Sequence, residues 1–72
     1  MGKLKITNII RRLRFDADEM TQKDLAEKVG VTRQTIVAIE NAKYSPTLEL
    51  AILISRVFDK PLEEVFDIQD AN

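Results

Sequence analysis

Gly30 separates two short amphipathic stretches, Thr21 to Val29 and Thr32 to Asn41, and this punctuation restricts the possible folds more than any other feature of the chain. Thr21 followed three residues later by Asp24 is a capping-box pattern, in which the hydroxyl accepts from a free first-turn amide and the acid reaches back to the cap. Leu25, Ala26 and Val29 then recur on one face at helical spacing. A glycine just past the last apolar residue ends a helix because the closing residue needs positive φ, which glycine adopts without strain. Val31 fills the corner and Thr32 caps a second helix. There Ile36 and Ile39 face inward, while Arg33, Gln34, Ala38 and Asn41 fall on the other side. Two capped helices joined by a tight turn predict a helix-turn-helix over about residues 21–43.

The outward side of the second helix, at about 32–41, is polar at its start and small in its middle. Arginine bonding both acceptors of guanine and glutamine pairing with adenine are favoured major-groove contacts. Both residue types sit in the first turn, the part of such a helix that reaches base edges. An exposed Arg-Gln pair is elsewhere more often a solvated helix face. A capped Gly-Val turn directly before it favours contact with DNA.

Before this motif, Thr7 or Asn8 can cap a first helix, with Ile6, Ile9, Ile10 and Leu13 as its buried stripe and Arg11, Arg12 and Arg14 as its polar one. Arg11 and Arg12 are either a solvated face or phosphate contacts. The alternation Leu4-Lys5-Ile6 also fits a short strand, with Val65-Phe66-Asp67-Ile68 as a possible partner. After the motif, Pro46 disfavours helical geometry at Ser45. Thr47 then caps a fourth helix with Leu50, Ala51, Ile54 and Phe58 as its core stripe. Asp59-Lys60-Pro61 ends it, and a short fifth helix spans Leu62 to Phe66. Tyr44 either packs across the turn or reaches the DNA backbone through its hydroxyl.

A net charge of −1 is unusual for a DNA binder, but its distribution is not. Residues 1–43 hold nine Lys/Arg against six Asp/Glu, whereas residues 44–72 hold two against six. A positive reading half and an acidic far half would orient the molecule on a phosphate backbone, and the acidic half also serves solubility. The absence of cysteine rules out disulfides and thiol redox chemistry. With no histidine either, a structural zinc site is disfavoured. Asp16, Asp18 and Glu19 lie close in sequence, but three acids in one turn without further ligands are usually solvated, so no metal or cofactor is expected. No apolar run approaches membrane-spanning length and no signal-peptide core is present, so the cytoplasm is the expected location. An enzyme finds no support in the histidine, cysteine or glycine-rich phosphate-loop motifs that catalysis would use.

Taken in order, Leu13-Arg14, Met20-Thr21-Gln22, Leu25-Ala26, Gly30-Val31, Ile39-Glu40-Asn41, Ser45-Pro46-Thr47-Leu48-Glu49-Leu50-Ala51 and Leu62-Glu63-Glu64-Val65-Phe66 make the chain resemble the lambda-repressor-like Xre/Cro family of transcriptional regulators, from about Ile9 to Phe66. The resemblance implies an all-α, compact five-helix DNA-binding domain, residues 1–72 forming a single unit with short terminal strands as an option. It implies a transcriptional regulator, acting as a repressor, that binds a palindromic double-stranded operator as a homodimer. Residue by residue, it makes Gln22 a phosphate contact. Thr32, Arg33, Gln34, Thr35 and Ala38 fall at recognition-helix positions facing bases or nearby backbone, and Asn41 and Lys43 at phosphate-contacting positions. Arg14 and Glu40 match a family pair that forms an internal salt bridge. Two departures stand out: Ala42 replaces the usual glycine after the recognition helix, and Asp16-Ala17-Asp18-Glu19 makes the turn after Arg14 one residue longer than in the best-known phage repressors.

A lone domain of this size has room for one modest core, and burial of further surface in a dimer would help it. Leu48, Leu53, Leu62, Val65 and Phe66 are the expected interface, Leu53 because it interrupts an otherwise charged stripe of Glu49, Arg56 and Lys60. No small-molecule effector is evident, and no sensor domain is expected. The competing reading is an antitoxin or other partner-binding helix-turn-helix protein, whose acidic half would be its essential surface and whose DNA binding would be autoregulatory. Such proteins often carry a longer partner-binding segment than the Asp67 to Asn72 stretch that follows the last helix here.

Overall fold

The structure is a computed structural model that describes residues 4–70. Strand β1 (Leu4–Asn8) is followed by α1 (Ile10–Asp16), α2 (Gln22–Val29), α3 (Arg33–Glu40), α4 (Leu48–Val57), α5 (Leu62–Val65) and strand β2 (Phe66–Asp70). The optional terminal strands are present and pair antiparallel, with Ile6 opposite Ile68 and Asn8 opposite Phe66. None of the helices among the described residues is long and apolar enough to cross a membrane.

Local capping sets the helix starts. Thr21 accepts from the Asp24 amide at 2.9 Å while Asp24 accepts from the Thr21 amide at 3.3 Å, completing the capping box. Thr32 and Thr47 each accept from the amide three residues on. The start of α1 is made differently. The Asn8 side-chain oxygen accepts from the Ile10 amide at 3.1 Å, and its Nδ2 donates to the Ile39 carbonyl at 2.8 Å, so one side chain ties the first helix to the end of α3. Ile9 is not part of the buried stripe. Its amide is held by the Val65 carbonyl beside the sheet, and its side chain is left exposed. Ile6 lies on the strand and Phe66 starts β2 instead of ending α5; both are half-buried.

The core is built from Ile10, Leu13, Leu25, Ala26, Val29, Ile36, Ile39, Leu50, Ile54 and Val65, with Met20, Val31, Val57, Phe58 and Phe66 packed on its margin. It draws on all five helices, so neither half of the helix-turn-helix has to carry its apolar face alone. Val65 corrects an expectation. At 1% exposure it is a core residue with no surface to offer a partner, because a four-residue helix pressed between α4 and β2 turns its last apolar side chain inward.

Three helices close in the same way. After α2, α3 and α4 the backbone turns left-handed at Gly30 (φ 78°), Ala42 (φ 58°) and Asp59 (φ 53°). In each case the next amide, of Val31, Lys43 and Lys60, returns to a carbonyl five residues back. Apart from its own chain neighbours, nothing lies within 4 Å of the place a Cβ on Gly30 would occupy, so conformation, not space, calls for glycine there. The longer turn after α1 is absorbed by two successive left-handed residues, Asp18 and Glu19, and Met20 then donates to the Arg14 carbonyl at 2.9 Å. Aspartate tolerates this region better than alanine does, which makes Ala42 the most strained of the three closures. Ala42→Gly is expected to stabilise the fold by about 0.5–1 kcal/mol, the relief of left-handed strain less the entropy that glycine adds to the unfolded chain. Urea unfolding would register this as a higher midpoint, and a lower midpoint would contradict it.

Candidate nucleic-acid interface

Helix α3 is anchored on one side and open on the other. Ile36 and Ile39 are 0% and 1% exposed, which fixes both the depth and the rotation of the helix. Thr32, Arg33, Gln34, Asn41 and Lys43 are exposed, and Thr35 and Ala38 are half-buried. Gln34, Ala38 and Asn41 recur at helical spacing along one face. Eight residues rise about 12 Å, and a helix of about 10–12 Å diameter fits a major groove about 12 Å wide. The Thr32 and Thr35 hydroxyls lie 3.0 Å apart, within hydrogen-bond distance, one donating to the other. Arg33 and Gln34 are thus the long polar side chains projecting from the first turn.

Behind this face stands the ion pair of Arg14 and Glu40. Arg14 Nε donates to Glu40 Oε2 at 2.7 Å and Nη2 to Oε1 at 3.0 Å, with side chains only 14% and 7% exposed. Arg14 Nη1 also donates to the Met20 carbonyl at 2.9 Å, so the guanidinium joins α1, the turn before α2 and the end of α3. Gln22, half-buried at the start of α2, donates from Nε2 to Glu40 Oε1 at 3.2 Å. Arg11, Arg14, Thr21, Gln22, Glu40 and Asn41 line one cleft beside the α3 face. The structure therefore brings Gln22 and Asn41 together, with Arg11 at the same cleft. Sequence reasoning had no access to the Gln22–Glu40 bond or to Asn8, whose partners lie 18 and 31 residues away.

With Val65 in the core, the other four residues expected at a dimer interface separate into two places. Leu48, Leu62 and Phe66 line an open apolar groove of ≈ 580 Å³ together with Ile6 and Ile68. Leu48 and Ile68 are 67% and 60% exposed. Leu53 lies outside that lining, since five residues on a helix turn it about 140° from Leu48. It is exposed next to Ile52.

Residues 10–65 match the model of the family described as Helix-turn-helix. Over 51 residues the chain is 51% identical to an uncharacterized HTH-type transcriptional regulator, MJ0272, of Methanocaldococcus jannaschii, a match covering 71% of this chain and 77% of that one. An uncharacterized HTH-type transcriptional regulator of Archaeoglobus fulgidus is 53% identical over 51 residues, 71% of this chain and 73% of its own length. The fold is shared with the crystal structure of the transcriptional regulator VanUg, at a TM-score of 0.77 and 18% identity, over 97% of this chain and 91% of that one. The chain belongs to the Xre, lambda-repressor-like family of helix-turn-helix transcriptional regulators.

Proposed function

We propose that this protein is a sequence-specific repressor that binds a palindromic operator in double-stranded DNA as a homodimer and reads it with α3. The observation that carries the reading is the pairing of an exposed Arg33-Gln34 first turn with a reverse face locked into the core by Ile36 and Ile39. A helix held this firmly can present side chains to base edges without paying for its own ordering on binding. Thr32, Thr35 and Ala38 extend the contact along the groove, and Gln22, Asn41 and Lys43 contact phosphates on either side of it. Repression follows if the bound dimer occludes a promoter.

Two copies are required because one recognition helix makes few base contacts. A two-fold dimer places the helices in successive major grooves, about 34 Å apart. The groove lined by Leu48, Leu62 and Phe66 supports dimerisation, since exposed apolar surface of this kind usually marks an interaction site. Leu53 would contribute from a second patch. Selection of binding sites from random duplexes should return an inverted repeat with half-sites centred about 10 base pairs apart. Sedimentation should give a dimer on that duplex. A single unrepeated half-site bound by a monomer would contradict the dimeric reading, and failure to enrich any sequence would contradict specific recognition.

A further inference from the structure

Glu40 does more than neutralise Arg14. Its carboxylate accepts three hydrogen bonds, from Arg14 Nε and Nη2 and, on Oε1, from Gln22 Nε2 at 3.2 Å. The first two make an ion pair within the fold, whereas the third reaches the first residue of α2 at the edge of the proposed DNA surface. We infer that Glu40 is a positioning residue for Gln22, holding its amide so that the second N–H faces the mouth of the cleft and donates to a DNA phosphate oxygen there.

A glutamine side chain ends in an oxygen that only accepts and a nitrogen that carries two hydrogens. A phosphate oxygen only accepts, so a glutamine with its oxygen outward opposes binding. On an open helix surface both orientations are sampled. An ionised carboxylate also only accepts, so a glutamine beside it keeps its nitrogen turned inward, one hydrogen on the carboxylate and the other free. Glu40 is itself oriented by the two-pronged Arg14 contact, and Arg14 is fixed by its bond to the Met20 carbonyl. The Gln22 amide is thus the last link in a chain running from the turn before α2 through both charged groups. Arg11 adds positive charge to the same cleft. A long side chain ordered before binding loses less freedom when DNA arrives.

The inference rests on the DNA-binding reading, and its test separates the two. Wild type, Gln22→Ala, Glu40→Gln and the double variant are titrated by fluorescence anisotropy against the selected operator and a scrambled duplex. The temperature is one at which circular dichroism shows every variant folded. Gln22→Ala should weaken binding to both duplexes about tenfold in the wild-type background, the scale of one hydrogen bond to a charged group. In the Glu40→Gln background, where the neighbouring amide no longer dictates orientation, the same change should cost less than about twofold, because the contact it removes is already largely lost. Equal losses in the two backgrounds would overturn the inference. So would an unchanged affinity for Gln22→Ala, with the DNA-binding reading intact. Failure of the wild type to bind either duplex would overturn both. If Glu40→Gln does not fold, the free wild-type protein decides: nuclear magnetic relaxation should show the Gln22 side-chain NH2 rigid relative to that of exposed Gln34, and equal mobility would overturn the inference.

Discussion

Arg14→Met should cost about 3–5 kcal/mol of folding stability, far more than loss of a surface ion pair. Glu40 would keep its burial and its Gln22 contact but lose both charge-assisted bonds, and the Met20 carbonyl would lose its donor. At 72 residues, the whole fold is held by about 4–11 kcal/mol in total. The single change therefore removes a large share of what keeps α1, the α2 turn and α3 together. Removing both charges, as Arg14→Met with Glu40→Leu, should hurt less than the sum of the single changes, because no uncompensated buried charge remains. Urea unfolding of the four proteins checks this. Strictly additive losses, or a loss below about 1 kcal/mol for Arg14→Met, would show that the pair behaves as an exposed one.

What could be read from the chain alone was governed by distance along it. The caps at Thr21, Thr32 and Thr47 act on amides three residues away, and the Gly30 closure involves a neighbouring turn, so residue type and spacing were enough. The inward set of α3, Ile36 and Ile39, followed from period alone. Ile9 and Val65 were misplaced for a common reason. The two are joined by a backbone bond across 56 positions, and a one-turn helix at Leu62–Val65 has too few residues to show a face. The terminal sheet was legible only as an option, since three alternating residues fit a strand and a helix start alike. For the candidate interface, the positions of Arg33 and Gln34 follow from the Thr32 cap. The Arg14–Glu40 pair came from family resemblance, and the third group on that carboxylate, Gln22, emerged only when the helices were brought together.

The second large effect concerns reading as distinct from positioning. Arg33 and Gln34 stand in the first turn of α3, where each is proposed to meet base edges, so loss of either should cost about 1–3 kcal/mol at the preferred site and relax its base preference. Lys43 follows the left-handed turn at Ala42 and is exposed. As a phosphate contact it would fix register without carrying sequence. Lys43→Ala should weaken all duplexes alike and reduce the salt slope by about one counterion.

The most direct test of α3 as a sequence reader is a titration of wild type and Arg33→Ala against the selected operator and a scrambled duplex at several salt concentrations. Arg33→Ala should lose about 5- to 150-fold on the operator, the equivalent of one base-reading contact, and on the scrambled duplex only the smaller loss that removal of one positive charge brings. Equal weakening on both duplexes, or weakening on neither, would contradict it.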